Sequence, residues 1–162
     1  MRVTFKAAML AMLCLVFTGA YAEEHSDELR LNPTEISSLA HHSAGSGTSG
    51  IKGIETTVLS GNPSVAGLYT IKLRVPANTT IQAHSHKDVR SASVVSGTWY
   101  IGYGSSFTAN GLKALPPGSF YTEPVGRLHF AQTKAEPVTV YITGYGPTST
   151  DYAQNAADLR KH

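Results

Sequence analysis

From position 51 to 146 the chain is built of short apolar runs, rich in β-branched and aromatic residues, that alternate with polar residues at period two and break at turn residues. The pattern predicts strands over 54–59, 67–75, 91–95, 98–103, 119–122 and 138–143. Ser60-Gly61-Asn62-Pro63, Pro76-Ala77-Asn78, Ser96-Gly97 and Pro116-Pro117-Gly118 read as the turns between them. No long stretch of helical periodicity interrupts the series. Many short strands with Gly and Pro at the bends predict a β-sandwich or barrel. The stretch 107–115, with Asn110-Gly111 at its centre, reads as a hairpin excursion over the mouth of that barrel.

The ends are patterned differently. Arg2 and Lys6 precede an apolar stretch over 7–17, and Ala20-Tyr21-Ala22 has the small-x-small form of a cleavage site. Together these predict a secretory signal peptide cut after Ala22, and so a periplasmic or secreted protein. The apolar stretch is too short to span a bilayer comfortably, which argues against stable membrane insertion. Cys14 lacks the preceding small residue of a lipoprotein signal. Residues 23–50 read as a preface to the barrel: Asn32-Pro33-Thr34-Glu35 offers an N-cap, a proline at the first helical position and a glutamate at N3, predicting a short helix to about residue 40. His41-His42 and the Gly/Ser-rich 43–50 read as a solvated, flexible linker, and 147–162 as a polar tail. The expected organisation is therefore a signal peptide (1–22), a preface and linker (23–50), a barrel (51–146) and a tail (147–162).

Composition narrows the function classes. A chain of 162 residues is one domain long. It has 13 Lys and Arg against 11 Asp and Glu, and loss of Arg2 and Lys6 with the signal leaves the two signs balanced. No basic patch points to nucleic acid or to an anionic membrane surface. The one cysteine leaves with the signal, so disulfides and thiol catalysis are excluded, and neither a Gly-x-Ser-x-Gly elbow nor a phosphate-cradling glycine loop is present.

Chemistry concentrates in His84-Ser85-His86. Two histidines one residue apart on a strand project to the same face, and a third from a neighbouring strand would complete a metal-binding face with open coordination positions. Pro76, Asn78, His84, His86, Arg90 and Gly97 stand at the spacings of the first motif of the cupin superfamily, and Gly118, Pro124, Gly126, His129 and Thr133 at those of the second. The stretch from 51 to 146 thus resembles a short bacterial single-domain cupin. The resemblance implies an all-β fold, an antiparallel double-stranded β-helix or jelly-roll barrel, with one divalent metal (Mn, Fe, Ni, Cu or Zn) held by His84, His86 and His129 in the barrel mouth.

Three positions depart from the family pattern. Asn78 replaces a glycine, and asparagine also tolerates the left-handed backbone of a tight turn. Thr133 replaces an asparagine. Arg90 stands where the first motif carries its glutamate ligand, and a guanidinium cannot coordinate a cation. A new carboxylate, Glu123, precedes Pro124 where the family carries an apolar residue. Two arrangements follow. Glu123 replaces the missing ligand, with Arg90 behind it orienting that carboxylate or a substrate, or Glu123 and Arg90 pair with each other and three histidines alone hold the metal. In both, Arg90 can clamp a carboxylate or enolate oxygen, and Tyr121, which shares a face with Glu123, can donate a phenol proton. Trp99, Tyr100 and Tyr103 are expected to pack strands or a dimer face, and Asp88 to be a solvated charge at a strand edge.

The resemblance implies a small-molecule metalloenzyme of the oxygenase or isomerase type, with Arg90, Glu123 and Tyr121 as catalytic candidates. The alternatives are a cupin that binds or senses a metal or small ligand without turnover, and a structural barrel with a vestigial site. A homodimer formed through a barrel face is the expected assembly.

Overall fold

The computed structural model of the chain describes residues 28–153. The segment 1–22, expected to be a signal peptide, and the end of the tail beyond 153 lie outside the described residues. A short helix, α1 (Pro33–Ser38), is followed by strands β1 (His41–His42), β2 (Glu55–Ser60), β3 (Gly67–Val75), β4 (Thr80–Ser85), β5 (Arg90–Ser96), β6 (Trp99–Tyr103), β7 (Lys113–Leu115), β8 (Phe120–Glu123), β9 (His129–Gln132), β10 (Val138–Gly146) and β11 (Asp151–Tyr152). They form two antiparallel sheets, one ordered β1-β2-β3-β10-β5-β8 and the other β11-β4-β9-β6-β7. This is the expected jelly roll.

Period-two alternation puts the core between the sheets. Tyr69, Ile71, Leu73 and Val75 of β3 and Val138, Val140 and Ile142 of β10 are buried, while Leu68, Arg74, Thr143 and Tyr145 on the opposite faces are exposed. Ile81, Trp99, Ile101 and Ala131 close the core from the five-stranded sheet. Each large aliphatic side chain buried this way contributes about 1.5–3 kcal/mol. The turns use the residues their backbone requires: Asn78 sits at φ 54°, the left-handed region asparagine accepts. Gly97 sits at φ 72°, and a Cβ there would lie 2.4 Å from the Pro137 carbonyl oxygen.

The six expected strands are all present. The preface differs from expectation in two ways. The Asn32 cap forms with both halves of its box, Asn32 Oδ1 accepting from the Thr34 and Glu35 amides at 2.9 and 3.1 Å and Glu35 Oε2 accepting from the Asn32 amide at 2.6 Å. The helix nevertheless stops at Ser38, where the Ser37 and Ser38 hydroxyls donate back to the Pro33 and Thr34 carbonyls. Segment 43–50 is a packed strap and no free linker, with Gly47 and Thr48 buried because the barrel mouth lies beneath them. The 107–115 excursion does not cover the mouth. It turns through a 3₁₀ segment, Ala109–Gly111, and returns as β7, with Phe107 packed on Phe130 at a ring separation of 5.4 Å.

Candidate metal centre

Strand register delivers the site. His84 of β4 is paired directly with His129 of β9, and Arg90 of β5 directly with Glu123 of β8, so the two sheets face each other with imidazoles on one side and an ion pair on the other. The β4–β9 ladder is irregular between Ile81 and His84. That irregularity lets Ile81 and His84, of opposite parity, both line the same cavity. His86 follows the end of β4 and is fixed by the Gly126 amide, which donates to its carbonyl at 2.9 Å.

The three imidazoles are buried and close, with ring centroids 4.3 to 5.1 Å apart, and one ring nitrogen of each lies within 4.8 Å of the others. In every ring Nδ1 meets a backbone carbonyl: Gln82 at 2.7 Å for His84, Ser149 at 2.6 Å for His86 and Arg127 at 3.0 Å for His129. A carbonyl only accepts, so each Nδ1 carries the proton and each neutral ring presents its Nε2 lone pair to the centre. Burial and the neighbouring His129 push the His84 pKa down to about 3, and burial together with the Arg90 guanidinium pushes that of His86 down to about 2. Both rings are neutral at pH 7, the form a metal needs. Nε2 of His129 is buried with no hydrogen-bond partner.

Arg90 and Glu123 are 6 % and 4 % exposed. Arg90 Nε donates to Glu123 Oε2 at 2.6 Å, and Nη2 touches the same oxygen and also donates to His86 Nε2. A guanidinium only donates, which independently fixes His86 Nε2 as an acceptor. Burial alone would raise the Glu123 pKa, but the Arg90 guanidinium outweighs it and holds it at about 2. Burial likewise opposes the charge on Arg90, and Glu123 more than compensates, so the Arg90 pKa rises. The other carboxylate oxygen, Oε1, lies 3.5 Å from His129 Nε2. Two acceptors facing each other at that distance form a place for a cation.

Tyr121 is buried on the cavity wall, its pKa pushed well up by burial and by the Glu123 charge, so it is a neutral phenol at pH 7. Trp99 lines the same wall. Tyr100 lies under the Lys134 ammonium at 4.2 Å, and the partly exposed Tyr103 donates to the Thr122 carbonyl at 2.7 Å. Asp88 corrects the expectation of a solvated charge. It is 5 % exposed and accepts from Tyr69 Oη at 2.6 Å and Thr148 Oγ1 at 2.5 Å, with burial and this bond to Asp88 pushing the Tyr69 phenol up to about 12. Sequence reasoning also missed Thr48, Ser149, Thr150 and Tyr152, which surround the centre. They lie in polar stretches without periodicity, so nothing in their pattern marks them.

The cavity is about 30 Å³, room for a water or two. It is lined by the three histidines, Arg90, Glu123, Tyr121, apolar wall residues including Leu73, Ile81 and Ile142, and the strap residues Gly47, Thr48 and Ser49.

No protein-family model and no curated protein sequence matches the chain. Solved structures do match by fold. The polyketide cyclase RemF from Streptomyces resistomycificus aligns at a TM-score of 0.63 with 13 % identity, over 83 % of this chain and 94 % of that one. A sugar phosphate isomerase from a cupin superfamily, from Silicibacter pomeroyi, aligns at 0.56 with 14 % identity, over 78 % and 82 %. The DMSP lyase DddQ from Ruegeria pomeroyi aligns at 0.56 with 15 % identity, over 72 % of this chain and 62 % of that one. The chain therefore has the cupin fold. Its structural neighbours include a cyclase, an isomerase and a lyase, and its three buried histidines form a cluster able to hold one metal ion.

Proposed function

We propose that this chain is an exported metal-binding cupin, and that it acts as a small-molecule metalloenzyme. The observation that carries the reading is the set of three converging Nε2 lone pairs, each fixed by a carbonyl on Nδ1, with one of them buried and unpartnered. His84, His86 and His129 would hold the ion, with Glu123 Oε1 as fourth ligand and Arg90 behind it gripping Oε2. A bound divalent ion supplies Lewis acidity toward substrate oxygens. Arg90 orients the Glu123 carboxylate, and once displaced from His86 Nε2 it is the donor placed to clamp a carboxylate or enolate oxygen of an oxygen-rich acid. Tyr121 keeps its proton and can donate it as a hydrogen bond into the cavity. The apolar wall excludes bulk water, which strengthens each of these contacts. Oxygenase and isomerase chemistry are the reaction types we favour.

The test is titration of the chelator-treated full chain with Zn²⁺ and Mn²⁺ by calorimetry, beside His129→Ala and Glu123→Gln. One equivalent should bind the wild-type chain, none should bind His129→Ala, and Glu123→Gln should bind about 10- to 100-fold more weakly. Equal binding by all three would remove the site.

A second reading is favoured by one observation: Arg90 already donates to His86 Nε2, and a cavity this small admits little besides a metal. On that reading the barrel binds or senses a metal without turnover, and no substrate changes the metal's spectrum. Export rests on the segment 1–22 and is tested by the N-terminus of the protein recovered from the periplasm or medium, which should be Glu23. We also propose a homodimer through the outer face of the six-stranded sheet. At one end of that face Leu68, Val89 and Tyr145 are exposed beside Thr122, Pro124 and Thr143, an apolar patch that a second copy of the chain would cover. Tyr145→Lys should turn a dimer into a monomer in sedimentation velocity.

A further inference from the structure

The strap over the barrel mouth lies with Gly47 against Pro63 and Ile71, and its described side-chain hydrogen bonds to the rest of the fold come from one segment. Residues 43–50 cross the cavity and contribute Gly47, Thr48 and Ser49 to its wall, yet no large side chain of the strap is buried. Its internal bonds are local: Thr48 N and Oγ1 both donate to the Gly45 carbonyl, at 3.2 and 2.8 Å, and the Ile51 amide donates to Ser49 Oγ at 3.2 Å. Among the described residues two side-chain hydrogen bonds latch it to the rest of the fold, both from one segment. Thr150 Oγ1 donates to the Thr48 carbonyl and Tyr152 Oη to the Ser49 carbonyl, each at 2.9 Å. Gly45, Gly47 and Gly50 sit at φ +107°, +83° and +70°, so the strap turns at residues that pay little to change conformation.

The latching segment also touches the metal centre. The Ser149 carbonyl takes the Nδ1 proton of His86, and Tyr152 pairs with His84 across the β4–β11 ladder, its ring 5.2 Å from the imidazole. The segment that closes the mouth therefore also contacts two of the candidate ligands. A cavity with room for a water or two cannot admit an organic acid while the strap is down.

We propose that residues 43–50 form a gate over the three-histidine centre, latched by Thr150 and Tyr152, which lifts to admit a metal or ligand and closes again by the same two bonds. The proposal rests on the metal-site reading only for what lies beneath the gate; the gate itself is a property of this chain with or without metal.

Trp99 is the one tryptophan of the chain, and it is buried on the cavity wall, so acrylamide quenching of its fluorescence reports opening directly. In the metal-free full chain, Thr150→Val with Tyr152→Phe should raise the quenching constant severalfold while far-UV circular dichroism is unchanged, because losing two neutral hydrogen bonds raises the open population about tenfold or more. EDTA extraction of Zn²⁺ from the loaded variant should accelerate by a similar factor. Hydrogen exchange on the unaltered chain guards against a variant that fails to fold: the Thr48 amide should exchange well ahead of the β3 and β10 amides. A folded variant with unchanged quenching, or a Thr48 amide that exchanges only at the global unfolding rate, overturns the gate. Faster quenching without any Zn²⁺ binding keeps the gate and removes the metal reading instead.

Discussion

Arg90→Met isolates the charge at the heart of the site. In the wild-type chain Glu123 keeps its carboxylate ionised inside the barrel only because Arg90 Nε and Nη2 grip Oε2; its other close neighbours, His86 Nε2 and His129 Nε2 at 3.5 Å, are acceptors. Methionine fills comparable volume and removes the cation. Losing one partner of a buried pair costs about 3–5 kcal/mol, and at about 3–5 °C per kcal/mol for a domain of this size the melting temperature should fall by roughly 10–20 °C, read by circular dichroism at pH 7 in EDTA. The deficit should shrink toward pH 5, since the carboxylate freed of Arg90 can protonate and stop paying for its burial. Arg90→Met/Glu123→Gln should recover most of the loss, and Zn²⁺ should stabilise Arg90→Met more than wild type, because the ion no longer competes with a guanidinium for His86 Nε2. A single variant that melts within about 2 °C of wild type, or a double variant as unstable as the single, would refute the account of this pair.

Three further outcomes follow from the same geometry. His84 and His86 titrate at about 3 and 2 when folded, against 6.5 when free, so the unfolded chain binds more protons below pH 6.5. Metal-free stability should be full above that pH and fall by up to about 2.7 kcal/mol per pH unit as pH drops toward 4; Glu123, held at about 2, adds to the loss below about 4.5, and urea unfolding at pH 7.5, 5.5 and 4.5 that gave equal stabilities would contradict this. Gly144→Ala would place a Cβ 2.5 Å from Tyr69 Oη and 2.6 Å from Asp88 Oδ2 and should cost about 1–3 kcal/mol in the same assay. Thr133→Val removes a hydroxyl that donates to the Pro76 carbonyl at 2.5 Å and accepts from the Thr79 amide at 2.9 Å, and should cost about 1–3 kcal/mol with the centre itself intact.

How much of this was legible in the sequence depended on whether position or partnership carried the information. The strands at 67–75 and 138–143 could be read because both faces obey period two, one buried and one wet. Asn78 could be read because a left-handed turn demands a short list of residues. The three histidines and the exchange of Arg90 and Glu123 could be read through the resemblance to the cupin motifs, and the strand register then brings them together. Asp88 could not, because its burial depends on Tyr69 and Thr148, far apart in the chain. Nor could the strap: a Gly/Ser-rich stretch reads as flexible, and what holds it are Thr150 and Tyr152 from the other end of the fold and the seat of Gly47 against Pro63 and Ile71. The 107–115 excursion was misplaced for the converse reason, its Phe107 being drawn to Phe130 on the outside of the five-stranded sheet.

The most direct test of the central claim is elemental analysis of the protein recovered from its native host without chelator or affinity nickel, beside His84→Ala. The account predicts close to one divalent ion per chain in the wild type and none in His84→Ala. A native protein free of metal, which still fails to take up Mn, Fe, Ni, Cu or Zn when each is supplied, would contradict it.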